Sequence, residues 1–134
     1  MKINVKQINK NAWKDVLNDA RLTVRKDELN KEPSDKFKQS ILISEHSPIR
    51  NLKYRIEVKG VKKWIAGHFR THHVGIDFFM STSRDDILKE DISRDNKRQG
   101  ELCDFTMLVN AQNLIDISRK RLCTLTHPET MGVW

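Results

Sequence analysis

From residue 52 to 58 the chain reads LKYRIEV, with Leu52, Tyr54, Ile56 and Val58 on one side and Lys53, Arg55 and Glu57 on the other. A period of two marks a half-buried strand. The N-terminal KINVKQI spaces Ile3, Val5 and Ile8 more loosely and predicts a short strand or extended lead. Asn11 is placed to cap a helix over AWKDVLNDARLTV, where Trp13, Val16, Leu17, Ala20 and Val24 recur at helical spacing. The polar run RKDELNKEPSD ends that pattern. Ser34, behind Pro33, is then an N-cap for a second helix, DKFKQSILIS, which stops before Pro48.

Gly60 predicts a turn, after which Val61, Trp64, Ile65, His68 and Phe69 restore the helical period through KKWIAGHFRTHH. VGIDFFMSTSR loses it and is expected to be extended or looped. Between Arg84 and Glu101 nearly every second residue is charged, and Ile87, Leu88 and Ile92 are the possible core contacts. This predicts a mobile connector, at about 85–101, with one helical turn near DDILKE. CDFTMLVNAQNLIDISRKRLC predicts one long helix with Phe105, Leu108, Val109, Ile115 and Leu122 on or near a common stripe. Helices packed on a small antiparallel sheet make an α+β fold. A chain of 134 residues supports one core, so residues 1–134 form a single domain.

A composition of 37% hydrophobic and 32% charged residues, with 5 Gly and 3 Pro, excludes collagen-like, low-complexity and fully disordered classes. No apolar run approaches the roughly 18 residues of a membrane span, and MKINVKQINK lacks the apolar centre of a secretory signal. The expected compartment is the cytoplasm. Lys and Arg outnumber Asp and Glu by 25 to 18, a net charge of +7 that favours anionic ligands, either phosphorylated small molecules or nucleic acid. The aromatics Trp13, Phe37, Trp64, Phe69 and Phe105 fall at apolar-face positions, as core residues do, which weighs against nucleic acid. On one helix Cys103 and Cys123 would stand roughly 30 Å apart, beyond disulfide reach.

Candidate chemistry starts at the histidines. His68 and His72 are four apart on a predicted helix and His73 follows, a spacing that suits a metal. HExxH and CxxC are both absent, so the expectation is no metal and a polar cluster serving another ligand. His68, beside Phe69, also fits a hydrogen-bonded core histidine. Ser81 and Ser83 lack GxSxG and a placed Asp, which argues against a serine nucleophile. No glycine-rich phosphate loop occurs. The hydroxyls of Ser81, Thr82 and Ser83, followed by Arg84, can converge on phosphate oxygens, or form an ordinary polar turn. Asn110 and Arg121, about three helical turns apart, would share a face that either lines a pocket or meets solvent.

Taken in order, EHSPIRNLKYRIEVKG, WIAGHFRTHHVGIDFFMSTSR, VNAQNLIDISRKRLC and PET resemble the sequence blocks of flavin-dependent thymidylate synthases, nearest a short branch whose central block reads like HFVRHKxGIEHFVSTQR. The resemblance spans roughly residues 13–134. It implies reductive methylation of dUMP to dTMP, with methylenetetrahydrofolate as carbon donor, FAD as hydride carrier and NADPH as reductant. No cysteine nucleophile is needed, so the protein's work is positioning and electrostatics. It implies dUMP contacts from His68, Arg70, Ser81, Thr82, Ser83, Arg84 and Arg121. Of these, Arg121 acts in catalysis, favouring the ionised uracil by placing positive charge beside it. It implies FAD contacts from Ser47, Thr71, His72, His73, Asn110, Gln112 and Asp116, and a homotetramer whose sites are shared between subunits. Thr71 and His73 stand where the family's RHR signature has arginines, Gln112 replaces another arginine, and Met80 replaces an acidic group. Arg70, one position before Thr71, is the candidate substitute guanidinium. A nucleotide- or flavin-binding homologue without turnover is the alternative implied by these departures.

Overall fold

A computed structural model of the chain describes residues 1–89 and 91–134. Its elements run β1 (Lys2–Gln7), α1 (Ala12–Thr23), α2 (Asp35–Ile43), a 3-10 turn (Ser47–Asn51), β2 (Lys53–Lys62), α3 (Lys63–Arg70) and β3 (Asp77–Met80). The chain continues through α4 (Asp85–Leu88), a second 3-10 turn (Arg94–Asn96), β4 (Leu102–Asn110), α5 (Ala111–Arg121) and α6 (Pro128–Val133). The four strands form one sheet in the order β1-β2-β4-β3, with every neighbouring pair antiparallel. The fold is α+β, as the patterning predicts.

Register follows from the alternation. Val5 pairs with Ile56, Ile56 with Met107, and Met107 with Phe78, so one apolar row crosses all four strands. Ile56, Val58, Phe105, Met107 and Val109 pack in a core with Ile65, Ala66 and Phe69 of α3, Ile117 of α5 and Val133 of α6. A second cluster joins Ala12 and Val16 of α1, Ile41 of α2, Ile49, Leu52 and Ala111. Ser34 caps α2 as expected, its Oγ accepting from the Phe37 amide at 3.3 Å. Asn11 occupies the cap position of α1 but makes no side-chain cap bond.

Three expectations are corrected. Residues 103–122 are not one helix: β4 runs to Asn110 and α5 begins at Ala111. Cys103, Phe105, Met107 and Val109 are buried while Asp104 is exposed, so the period there is two, and tertiary burial overrides the helical reading of an apolar-rich run. The cysteine separation inferred from a single helix therefore has no basis; Cys103 is buried, Cys123 is exposed, and both are free. Gly60 does not end β2. It sits in a bulge between Val58 and Val61 with φ of 69°, a backbone conformation that side chains resist, and its amide donates to the Asp104 carboxylate at 2.8 Å.

The connector has its one helical turn at Asp85–Leu88, but Ile87, Leu88 and Ile92 are all exposed and supply no core contact. Its far end is tied to α3, where the Lys63 amide donates to the Glu101 carbonyl and the two side chains form an ion pair. Among the described residues no helix is long and apolar enough to cross a membrane.

Candidate functional site

The end of α3 meets the end of α5. Helix α3 stops at Arg70, and the backbone turns away through Thr71, His72 and His73 toward Gly75, whose φ of 69° suits glycine. Arg121, the last residue of α5, reaches across to this turn. Its Nε donates to His72 Nε2 at 2.8 Å, and its Nη2 donates to the His68 carbonyl at 2.5 Å and to Thr71 Oγ1 at 2.9 Å. The cation thus satisfies a carbonyl in the last turn of α3, where the helix dipole is negative. Thr71 Oγ1 donates to the same carbonyl at 2.7 Å.

The bond from Arg121 determines the state of His72. A guanidinium only donates, so Nε2 must offer a lone pair and the ring proton lies on Nδ1. Burial first, and then the Arg121 and Lys120 cations, push the His72 imidazole below the usual histidine range. A fixed positive charge, the Arg121 guanidinium, therefore stands beside a neutral imidazole. His73 is exposed, its Nδ1 3.0 Å from the Thr71 carbonyl oxygen.

A cleft of about 240 Å³ opens between this turn and α5. Thr71, His72 and His73 line one side, and Asn113, Asp116 and Lys120 the other. Four residues expected to contact flavin, from two distant blocks of sequence, share it: Thr71, His72, His73 and Asp116. Gln112 lies on α5 and donates to Glu45 at 2.8 Å. Glu45 also accepts from both terminal nitrogens of Arg119, which holds its carboxyl below the usual range. This places the loop leading to exposed Ser47 against the Gln112 and Arg119 side of α5. Asn110 is the N-cap of α5, its Oδ1 accepting from the Asn113 amide at 3.0 Å, so it does not share a helical stripe with Arg121 as the single-helix reading required.

The remaining candidates lie elsewhere. His68 is half-buried, with Nδ1 2.9 Å from the fully buried Thr130 hydroxyl and its ring against the edge of Trp64. That is the core-histidine arrangement, and it fastens α3 to α6. Ser81 closes the sheet at β4, its Oγ accepting from the Asp104 amide at 3.1 Å. Thr82 Oγ1 accepts from the Arg84 amide at 3.1 Å, and Ser83 is half-buried beside it. Arg84 grips Asp86 through Nε at 3.0 Å and Nη2 at 2.5 Å, which lowers the carboxyl of Asp86. Among the described residues no hydrogen bond or ion pair joins this turn to His72 or Arg121. Arg70 is exposed at the end of α3, and Met80 is partly exposed beside Ser81. No group of His, Cys, Asp and Glu among the described residues is arranged to hold a metal ion.

Sequence reasoning missed Asn113, Lys120, Glu45 and Thr130. The capping pair Asn110 and Asn113 was legible as a helix start had the alternation of 103–109 been taken as a strand. Glu45 and Thr130 fall inside blocks that carry the resemblance, but nothing local announces their contacts, because their partners lie 74 and 62 positions away in the chain.

No family model matches the chain, and no curated protein matches it. Solved structures do. Thymidylate synthase X from Helicobacter pylori with FAD and dUMP superposes with a TM-score of 0.81 at 15% identity, over 99% of this chain and 89% of that one. A second structure, flavin-dependent thymidylate synthase from the same organism complexed with FAD and dUMP, gives 0.77 at 13% identity, over 97% and 89%. This likeness, end to end, establishes that the chain has the fold of those proteins.

Proposed function

We propose that the chain is a flavin-dependent thymidylate synthase-like enzyme that methylates dUMP to dTMP, with methylenetetrahydrofolate as carbon donor and NADPH as reductant. One observation carries the reading: on a fold shared with proteins that bind FAD and dUMP, residues 71–73 and Asp116 converge on one cleft, and Arg121 is hydrogen-bonded to His72 of its lining. The donor set fits part of a flavin. Thr71 offers a hydroxyl, His72 and His73 imidazoles, Asp116 an acceptor and Lys120 a cation for a phosphate. When bound, FAD supplies hydride transfer; the chain's own residues bind, orient and exclude water.

At about 240 Å³ the cleft falls below the roughly 300–1,000 Å³ of pockets that enclose drug-sized ligands, which supports a site completed by more than one protomer. We take the rest to come from further copies, a tetramer in its simplest form, which also brings the Ser81–Arg84 turn of one copy toward the Arg121 of another. Arg121 acts there as a permanent charge beside the pyrimidine, its orientation fixed by His72 and Thr71.

Rescue of thymidine auxotrophy by the wild-type chain, beside Arg121→Ala and Arg84→Ala, tests this. Rescue by the parent and its loss in both variants is expected, with purified Arg121→Ala slowed about 100-fold or more. Undiminished rescue by both variants would discard the assigned roles. The engagement of Arg84 by Asp86 favours one second reading, a flavin- or nucleotide-binding homologue without turnover. Its mark is bound FAD with no dTMP formed.

A further inference from the structure

Asn113 is tied to both walls of the cleft. Its amide hydrogen bonds to Asn110 Oδ1 at 3.0 Å, and its own Oδ1 accepts from the Asn110 amide at 3.4 Å, a reciprocal cap that starts α5. Its Nδ2 donates to the Val74 carbonyl at 3.1 Å, across to the turn that follows His73. Gly75, next along, has φ of 69°, and a side chain there would meet Asn113 Nδ2 at 3.4 Å. One amide therefore caps the helix forming one wall of the cleft and holds the loop forming the other.

We propose that Asn113 is a positioning residue that sets the width of the cleft, clamping the 72–76 loop to the first turn of α5 so that Thr71, His72 and His73 face Asp116 at ligand-binding distance. The inference rests on the reading of this cleft as the flavin site. The two halves of the amide have separate tasks: Oδ1 serves the helix cap and Nδ2 serves the loop. Asp in its place keeps the acceptor, and its charge suits the positive N-terminal end of a helix, but it turns an oxygen against the Val74 carbonyl. A residue that merely stabilised α5 would tolerate that exchange; a clamp would not.

The test uses the full chain in three forms, parent, Asn113→Asp and the neutral Asn113→Ala, each titrated with FAD by flavin fluorescence and followed by amide hydrogen exchange. Both variants are expected to bind FAD about tenfold more weakly, the effect of one lost hydrogen bond between the two walls of the cleft. Exchange at residues 72–76 should quicken in both, while protection at residues 114–121 holds in Asn113→Asp. If Asn113→Asp fails to fold, Gly75→Ala opens the loop from its other side with the cap intact, and the same loss of FAD binding is expected. Parental FAD affinity in both Asn113 variants, or unaltered exchange at 72–76, overturns the proposal while leaving the flavin reading standing. Failure of the parent chain itself to bind FAD overturns that reading and the positioning role of Asn113 together.

Discussion

His72 gives its lone pair to Arg121, and protonation would set an imidazolium against a guanidinium 2.8 Å away. Its folded pKa lies below the unfolded value of about 6.5, so the unfolded chain takes up the proton first as pH falls. Stability therefore declines as pH drops from about 6.5 toward the folded pKa, and is unaffected by this group at higher pH. Thermal melts from pH 7.5 down to 5 should show that decline, and His72→Gln should flatten the part this ring contributes; equal acid sensitivity in the two proteins would rule the contact out as its source. Arg121→Lys is expected to keep the positive charge but lose the simultaneous bonds to His72, Thr71 and the His68 carbonyl, because an ammonium cannot span them as a planar fork does. In enzyme assays it should resemble Arg121→Ala more than the parent.

At the scale of elements, the two helix starts in the N-terminal half make opposite predictions. Ser34 accepts from the Phe37 amide, so Ser34→Ala should cost about 1 kcal/mol, read as a lower urea midpoint at unchanged slope. Asn11 makes no such bond, and Asn11→Ala should leave the midpoint almost where it was. Helix α5 differs from both because its start is shared with the site: the cap at Asn110 and Asn113 also fixes the neighbouring loop. Helix α6, six residues long, is held by side chains rather than by its own length, through Thr130 to His68 and through Trp134 Nε1 to Ser118 Oγ at 2.7 Å. It braces α3 and α5 together, and with them the two walls of the cleft.

Over the whole molecule, Phe69 stands where these braces meet. It is fully buried, stacked between Phe105 of β4 and Trp134 beyond α6, with ring centroids 5.7 and 5.8 Å away. Phe69→Ala should cost about 3–5 kcal/mol by denaturant unfolding, and a value near zero would mean that the sheet and the helices do not share one core. The same architecture explains what could be read in advance. Local pattern alone predicted β1, the N-terminal helices, the alternation of β2, the helix through Phe69 and the extended stretch before Ser81, because each is decided by neighbours a few positions apart. The ordered blocks likewise pointed to the fold. The strand at 102–110 could not be told from a helix by its apolar content, since burial on one face of a sheet and pairing with residues near 56 and 78 settle it. Nor could the chain say that Arg121 would rest on His72 or that Asn113 would hold Val74. The sequence determined which groups are available and which segments curl or extend; the tertiary structure decided which of them meet, because contacts across 39 or 49 positions depend on how the sheet packs its helices and not on any spacing along the chain.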